Sequence, residues 1–118
     1  MSVAWTGRAR IYLALAPRDL RKGFDGLSAE VSHVLRRDPF SEHLFVFRSK
    51  RGDRLKALWW DGSGFCLLAK RLERGRFVWP RVKEGALTLT SAQLGLLLEG
   101  LDWRRAVPLA GEVRPTLV

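Results

Sequence analysis

The chain has 118 residues, which leaves room for one hydrophobic core and one domain, since domains commonly run to roughly 100–150 residues. With 47% hydrophobic, 10% aromatic and 28% charged residues, it has the composition of a folded globular protein and lacks the apolar run of about 20 residues that spans a bilayer. The net charge of +9 favours polyanionic partners.

The first apolar run, Arg10-Ile-Tyr-Leu-Ala-Leu15, is closed by Pro17 and predicts a strand. The residues before it read as a loose leader. They lack an apolar stretch with a small-residue cleavage site, so the chain reads as cytoplasmic. From Leu20 the apolar positions Leu20, Phe24, Leu27, Val31, Val34 and Leu35 follow three-and-four spacing, which places them on one face of a helix with Asp19 as its N-cap. Gly23 and Gly26 each weaken that helix by roughly 1 kcal/mol relative to Ala, so its first turns are expected to pack closely or its true start to come late. Asp38-Pro39 ends it.

The next forty residues predict an antiparallel meander. Its strands are 44–48, 54–60, 65–72 and 76–79, separated by the turns Lys50-Arg-Gly-Asp53, Asp61-Gly-Ser-Gly64 and Glu73-Arg-Gly75 and stopped by Pro80. Thr90-Ser-Ala-Gln93 is a capping box, and Leu94, Leu97, Leu98 and Leu101 follow at helical spacing, with Gly100 near the helix end. After Trp103 the chain reads as a frayed tail. The expected fold is α+β: an antiparallel meander sheet of four to five strands packed with two helices. It forms a single domain over 1–118, with its ordered core at about 8–103.

The positive charge is unevenly spread. Residues 1–47 hold seven Lys/Arg against five Asp/Glu, residues 48–83 hold eleven against three, and residues 84–118 hold three against four. The middle block, which overlaps the predicted meander, carries nearly the whole excess. Strand parity puts Arg54, Lys56, Leu58 and Trp60 on one face and Leu55, Ala57 and Trp59 on the other. The candidate nucleic-acid-binding residues are therefore Lys50, Arg51, Arg54, Lys56, Trp60, Lys70, Arg71, Arg74 and Arg76. Lysines and arginines release counterions from phosphates, and an indole stacks on an unpaired base for about 1–3 kcal/mol. The competing interpretation is an ordinary solvated face, with both tryptophans in a two-sided core covered by helices.

Catalytic readings are weaker. Asp25, Asp38, Asp61 and Glu73 could supply a metal-binding carboxylate cluster, but turns and the polar side of a helix account for each. His33, His43 and Cys66 lack zinc-ligand spacing, and Asp-Gly-Ser-Gly sits in a hairpin rather than at a strand-to-helix junction. The lone Cys66, in Phe65-Cys-Leu-Leu68, reads as a small core residue. No catalytic residues, cofactor or metal site are expected.

Several blocks carry a resemblance: Asp19-Leu-Arg-Lys-Gly-Phe-Asp-Gly-Leu27, Asp38-Pro-Phe40, His43-Leu-Phe-Val-Phe-Arg48, Arg51-Gly-Asp53, Trp60-Asp-Gly62, Gly64-Phe-Cys66, Lys70 through Pro80, Leu87-Thr-Leu-Thr90, and Leu98 through Trp103. In this order and spacing they resemble the small TnpB-type accessory proteins encoded by the second reading frame of bacterial insertion sequences of family sixty-six. These are distinct from the RNA-guided nuclease that shares the label. The match spans roughly residues 8 to 105. The resemblance implies a protein that assists a separate, larger transposase, with no enzymatic activity of its own and no catalytic residues to transfer. Two functions fit: a DNA-binding accessory that uses the basic block, or an adaptor that docks onto the transposase or the first-frame protein through exposed aromatics and arginines. A symmetric homodimer is compatible with the chain, although nothing in the sequence marks its interface.

Overall fold

A computed structural model describes residues 9–105, so the expected leader and most of the expected tail lie outside the described residues. The elements run β1 (Ile11–Ala14), α1 (Phe24–His33), β2 (Leu44–Arg48), β3 (Arg54–Trp60), β4 (Phe65–Arg71), β5 (Ala86–Leu89) and α2 (Ser91–Leu98). The five strands form one sheet in the order β4-β3-β2-β1-β5. The β2-β3-β4 hairpins pair antiparallel as the turn chemistry requires, with Phe45 opposite Leu58 and Trp59 opposite Cys66.

The fold is α+β, but the sheet is not a pure meander. β1 pairs with β2 in parallel, Ile11 opposite Leu44, so α1 serves as a crossover of the kind a parallel pair needs. The expected strand at 76–79 is not one. Its Phe77 N–H donates to Gly52 O at 2.9 Å, and the segment runs as an irregular cover over the sheet. The remaining strand is instead β5, which pairs antiparallel with β1.

Because β1 and β2 lie inside the sheet and are covered on both sides, every one of their residues is buried, and they read as continuous apolar runs. One face presents Tyr12, Ala14, Phe45, Phe47 and Leu58 to Leu27 and Val31 of α1. The other presents Ile11, Leu13, Val46, Leu55, Ala57 and Trp59 to Leu94 and Leu97 of α2, with Phe77 and Trp103 completing the layer. Trp103 is anchored by its Nε1–H, which donates to Val78 O at 2.8 Å. Cys66 is half-buried at the margin of this second layer rather than in the core. Its Sγ lies 3.4 Å from Asp61 Oδ2, and burial, followed by that carboxylate, pushes the thiol pKa up.

Helix α1 starts late, at Phe24, with Gly23 as an N-cap that offers no side chain. Asp19 is therefore not the cap. Its carboxylate accepts from the backbone N–H of Arg21 and holds the Arg21 guanidinium, which keeps its pKa well below the usual carboxylate range. Phe24 and Val34, expected on the buried face, are about half exposed. A Cβ on Gly26 would stand 2.9 Å from Lys22 Cβ, the close packing that its glycine permits.

The capping box of α2 forms as the sequence predicts: Gln93 N–H donates to Thr90 Oγ1 at 3.1 Å and Thr90 N–H to Gln93 Oε1 at 3.0 Å. The helix ends in a Schellman motif. Gly100 has φ 77° and donates to Leu97 O, while Leu101 donates to Leu96 O. Leu101 thus lies past the helix and is exposed. Thr90→Ala is expected to cost about 1 kcal/mol in urea unfolding, because it orphans the Gln93 N–H.

His43 gives the fold a pH dependence. Its Nδ1 accepts from Arg10 N–H at 2.9 Å and its ring meets Tyr12 edge-on, so the neutral imidazole is the form that fits. Burial first, then Arg10 and Arg37, lower its pKa. The folded value lies below the unfolded one of about 6.5, so this contribution to stability is complete above that pH and is lost as pH falls through the folded value. Unfolding midpoints should fall as the pH is lowered below about 6.5, and His43→Gln should remove that part of the decline.

Candidate functional site

One end of the sheet carries an open groove of about 880 Å³ on the α1 side. Its floor comes from Arg54 and Lys56 of β3 and from Ala69 and Arg71 of β4. The β2–β3 turn, with Lys50 and Arg51 at its tip, forms one wall, and the segment before α1, with Arg18 and Arg21, forms the other. Eight cationic residues line the groove, counting Lys70, against two acidic ones, Asp19 and Asp53.

Local hydrogen bonds hold these walls. In the turn, Gly52 N–H donates to Ser49 O, Ser49 N–H to Arg54 O, and Arg54 N–H to Ser49 Oγ. Beneath it, Arg48 is almost fully buried with its guanidinium over the Trp79 indole, 5.0 Å from the ring centroid, and burial lowers its pKa. The opposite wall is tied down when Arg18 N–H donates to Arg48 O at 2.9 Å. Glu30 of α1 then bridges two cations, Arg18 Nε at 3.1 Å and Lys22 Nζ at 2.6 Å. Lys56 Nζ closes the circuit by donating to Lys22 O at 3.1 Å.

The cations therefore fall into two groups. Arg18 and Lys56 are engaged in holding the walls, Arg21 is paired with Asp19, and Arg71 with the exposed Glu73. Lys50, Arg51 and Arg54 make no ion pair among the described residues and are exposed. Arg54 stands directly opposite Arg71 across the β3–β4 ladder. The hydrogen bond from Leu72 N–H to Asp53 O makes 53/72 a hydrogen-bonded pair, so 54/71 is the closer, non-hydrogen-bonded kind. Like charges opposed there destabilise a sheet; Glu73 offsets the charge of Arg71, while that of Arg54 has no ion pair among the described residues.

Not all the residues singled out from the sequence meet here. Lys50, Arg51, Arg54, Lys56 and Arg71 converge on the α1 side. Lys70 lines the groove's edge, but its side chain points to the other face, where Nζ donates to Leu98 O at the C-terminal end of α2. A single flat platform that included both Lys56 and Lys70 is thus not what the sheet presents. Arg74 and Arg76 lie in the β4-to-cover turn, at the same end of the molecule but outside the groove. Trp60 lies at the far end of β3, about 20 Å from Arg54 by strand rise. Its half-buried ring is packed edge-on against Phe40 and Phe65, each 5.1 Å away. Arg18 and Arg21 also line the groove but lie outside the basic block at 48–83, in Arg18-Asp-Leu-Arg-Lys22, itself a basic run.

The carboxylates have local employment. Asp61 accepts from Ser63 and Gly64 N–H and its pKa is lowered to about 2 by those bonds, Asp38 accepts from Phe40 N–H, and Glu73 pairs with Arg71. Among the described residues, no three His, Cys, Asp or Glu side chains come together as metal ligands would. Nor is any helix there long and apolar enough to cross a membrane.

Fold and groove together define the class: a small α+β protein with a cationic groove at one end of its sheet. The family described as IS66 Orf2-like protein matches residues 9–108, and the chain belongs to that family, as the resemblance read from the sequence implied. Two proteins of Sinorhizobium fredii (strain NBRC 101917 / NGR234) are similar to it. Uncharacterized protein y4jC is 48% identical over 109 residues, covering 92% of each chain. Uncharacterized protein y4hO is 48% identical over 95 residues, 80% of this chain and 83% of that one. No solved structure matches. Family membership points to an accessory role in the transposition of IS66-type insertion sequences.

Proposed function

We propose that the protein is a non-enzymatic accessory of transposition that binds DNA through the groove at the β3–β4 end of its sheet. The observation that carries this reading is the opposed Arg54–Arg71 pair beside Lys50 and Arg51, which make no ion pair among the described residues, a concentration of like charge that a phosphate backbone would relieve. The contacts would be to phosphates, so binding is steeply salt-dependent and weakly selective for sequence. Fluorescence anisotropy with an element-end duplex and a random duplex, each at two salt concentrations, tests this. Both should bind with similar affinity, and log K should fall linearly with log salt. No binding to either at low salt would sink the reading.

A second reading is favoured by a different patch. Phe40 is 55% exposed and caps the Trp60–Phe65 ring cluster at the other end of the α1 face, the kind of aromatic anchor that protein interfaces use. An adaptor docking there onto the transposase or the first-frame protein would leave DNA contact to its partner. Co-purification of the element's proteins with and without nuclease separates the two, because only the adaptor complex survives the nuclease.

A further inference from the structure

Among the described residues, β4 is an edge strand, with β3 on one side and no strand on the other. The bonds from Asp61 N–H to Gly64 O and from Leu72 N–H to Asp53 O bracket the β3–β4 ladder and fix its parity. Cys66, Leu68 and Lys70 direct their backbone groups at β3, while Phe65, Leu67, Ala69 and Arg71 direct theirs outward. Among the described residues nothing bonds those outward groups. The strand is paired with β3 along all seven residues without a bulge and contains neither Pro nor Gly. Leu68, at its middle, is an exposed large apolar residue. A straight, uncovered edge of this kind is a template for another strand. The opposite edge, β5, has only four residues.

We propose that β4 pairs antiparallel with β4 of a second copy of this chain, about a two-fold axis through Leu68. This register is self-complementary. Phe65 faces Arg71 and Leu67 faces Ala69 on the α1 side, while Cys66 faces Lys70 and Leu68 faces itself on the other. Every outward-pointing residue of one copy then meets an outward-pointing residue of the second and exchanges both backbone bonds with it. A shift by two residues either way breaks this: with Leu67 on Leu67, Arg71 falls opposite Ser63 in the turn, and with Ala69 on Ala69, Phe65 falls opposite Glu73 beyond the strand. The basic end of each strand is laid against the apolar end of the other, so no like charges are opposed. Arg71 of the second copy comes beside Phe65, whose ring belongs to the Phe40–Trp60 cluster, a setting for a cation–π contact. These features select a second copy rather than a different protein as the occupant.

The result is a closed, isologous dimer with one continuous sheet. An axis normal to the sheet puts α1 and the basic groove of both copies on the same side, with the two Arg71 positions about 20 Å apart along the strand direction. The pairing does not depend on what the grooves bind.

Sedimentation equilibrium of the full chain, free of nucleic acid, should give twice the 13.4 kDa chain mass. Leu68→Glu opposes two carboxylates at the axis and should reduce the mass to one chain. An equimolar mixture of Leu68→Glu with Leu68→Lys should restore the dimer. Ala69→Pro removes an outward N–H that β3 does not use, so it should dissociate the dimer while leaving the far-UV circular dichroism unchanged. A parent protein that sediments as one chain at every concentration, or a dimer that survives both Leu68→Glu and Ala69→Pro, overturns the proposal. A Glu/Lys mixture that stays monomeric overturns the register.

Discussion

Replacing Lys50, Arg51 and Arg54 together with Gln is expected to flatten the salt dependence of duplex binding by about three phosphate equivalents, and to weaken binding alike for element-end and random DNA. The three are chosen because they hold nothing. None makes an ion pair among the described residues, and all are exposed. The substitution also removes the Arg54 charge opposed to Arg71, so the variant should unfold at the parent's denaturant midpoint or slightly above it. Arg18 and Lys56 would be poor choices for the same test. Removing the first strips Glu30 of one of its two cations, and removing the second unties β3 from the backbone at Lys22. The comparison that sharpens the test is Arg74→Gln with Arg76→Gln, the same kind of charge loss a short distance outside the groove. If both sets lowered the slope equally per charge, binding would follow net charge and the groove would have no special role. An unchanged slope in the triple variant would remove the groove from DNA binding altogether.

The hairpins β2-β3-β4 were legible because their determinants are local: alternating apolar residues and turns built on Gly52 and on Asp61-Gly-Ser-Gly64. β5 was not. Ala86-Leu-Thr-Leu89 is short, and its partner β1 lies more than seventy residues earlier, so no neighbouring turn announces the pairing. The reverse error at 76–79 has a comparable cause. Arg76-Phe-Val-Trp79 has the composition of a strand, but Phe77 N–H and Trp79 Nε1–H are both spent on Gly52 O, and Trp103 takes Val78 O. Tertiary contacts there outweigh local propensity. For the proposed site, clustering of charge along the chain leads to the end of the sheet where the groove lies and to most of the cations that line it. It could not tell free cations from employed ones, because that depends on Glu30 and on the C-terminal carbonyls of α2, residues distant in sequence from the block. Parity separated the faces of β3 correctly but was not carried across to β4, where Lys70 and Arg71 diverge to opposite sides.

Gly52→Val is expected to be the most damaging single change near the groove, destabilising the protein by about 3 kcal/mol in denaturant unfolding. Gly52 has φ 78°, a left-handed conformation that costs an L-residue roughly 1–2 kcal/mol and a β-branched one more. Space is also lacking: a Cβ at this position would stand 3.0 Å from Trp79 Nε1, the atom that donates to Gly52 O at 3.0 Å. A valine must therefore displace the indole, which takes with it the hydrogen bond and the ring that lies over the buried guanidinium of Arg48. Among the described residues that guanidinium already has an Nε without a hydrogen-bond partner, and uncovering it leaves a charge at the rim of the core with less to hold it. The consequences should reach the groove, because the same turn carries Lys50 and Arg51. Gly52→Val should weaken DNA binding even when enough denaturant-free protein is folded, whereas the triple Gln variant should weaken binding with stability intact. A Gly52→Val protein as stable as the parent would mean that the turn can re-form without its left-handed residue. Trp79 would then be a cover for the core and not the brace that sets the groove's wall.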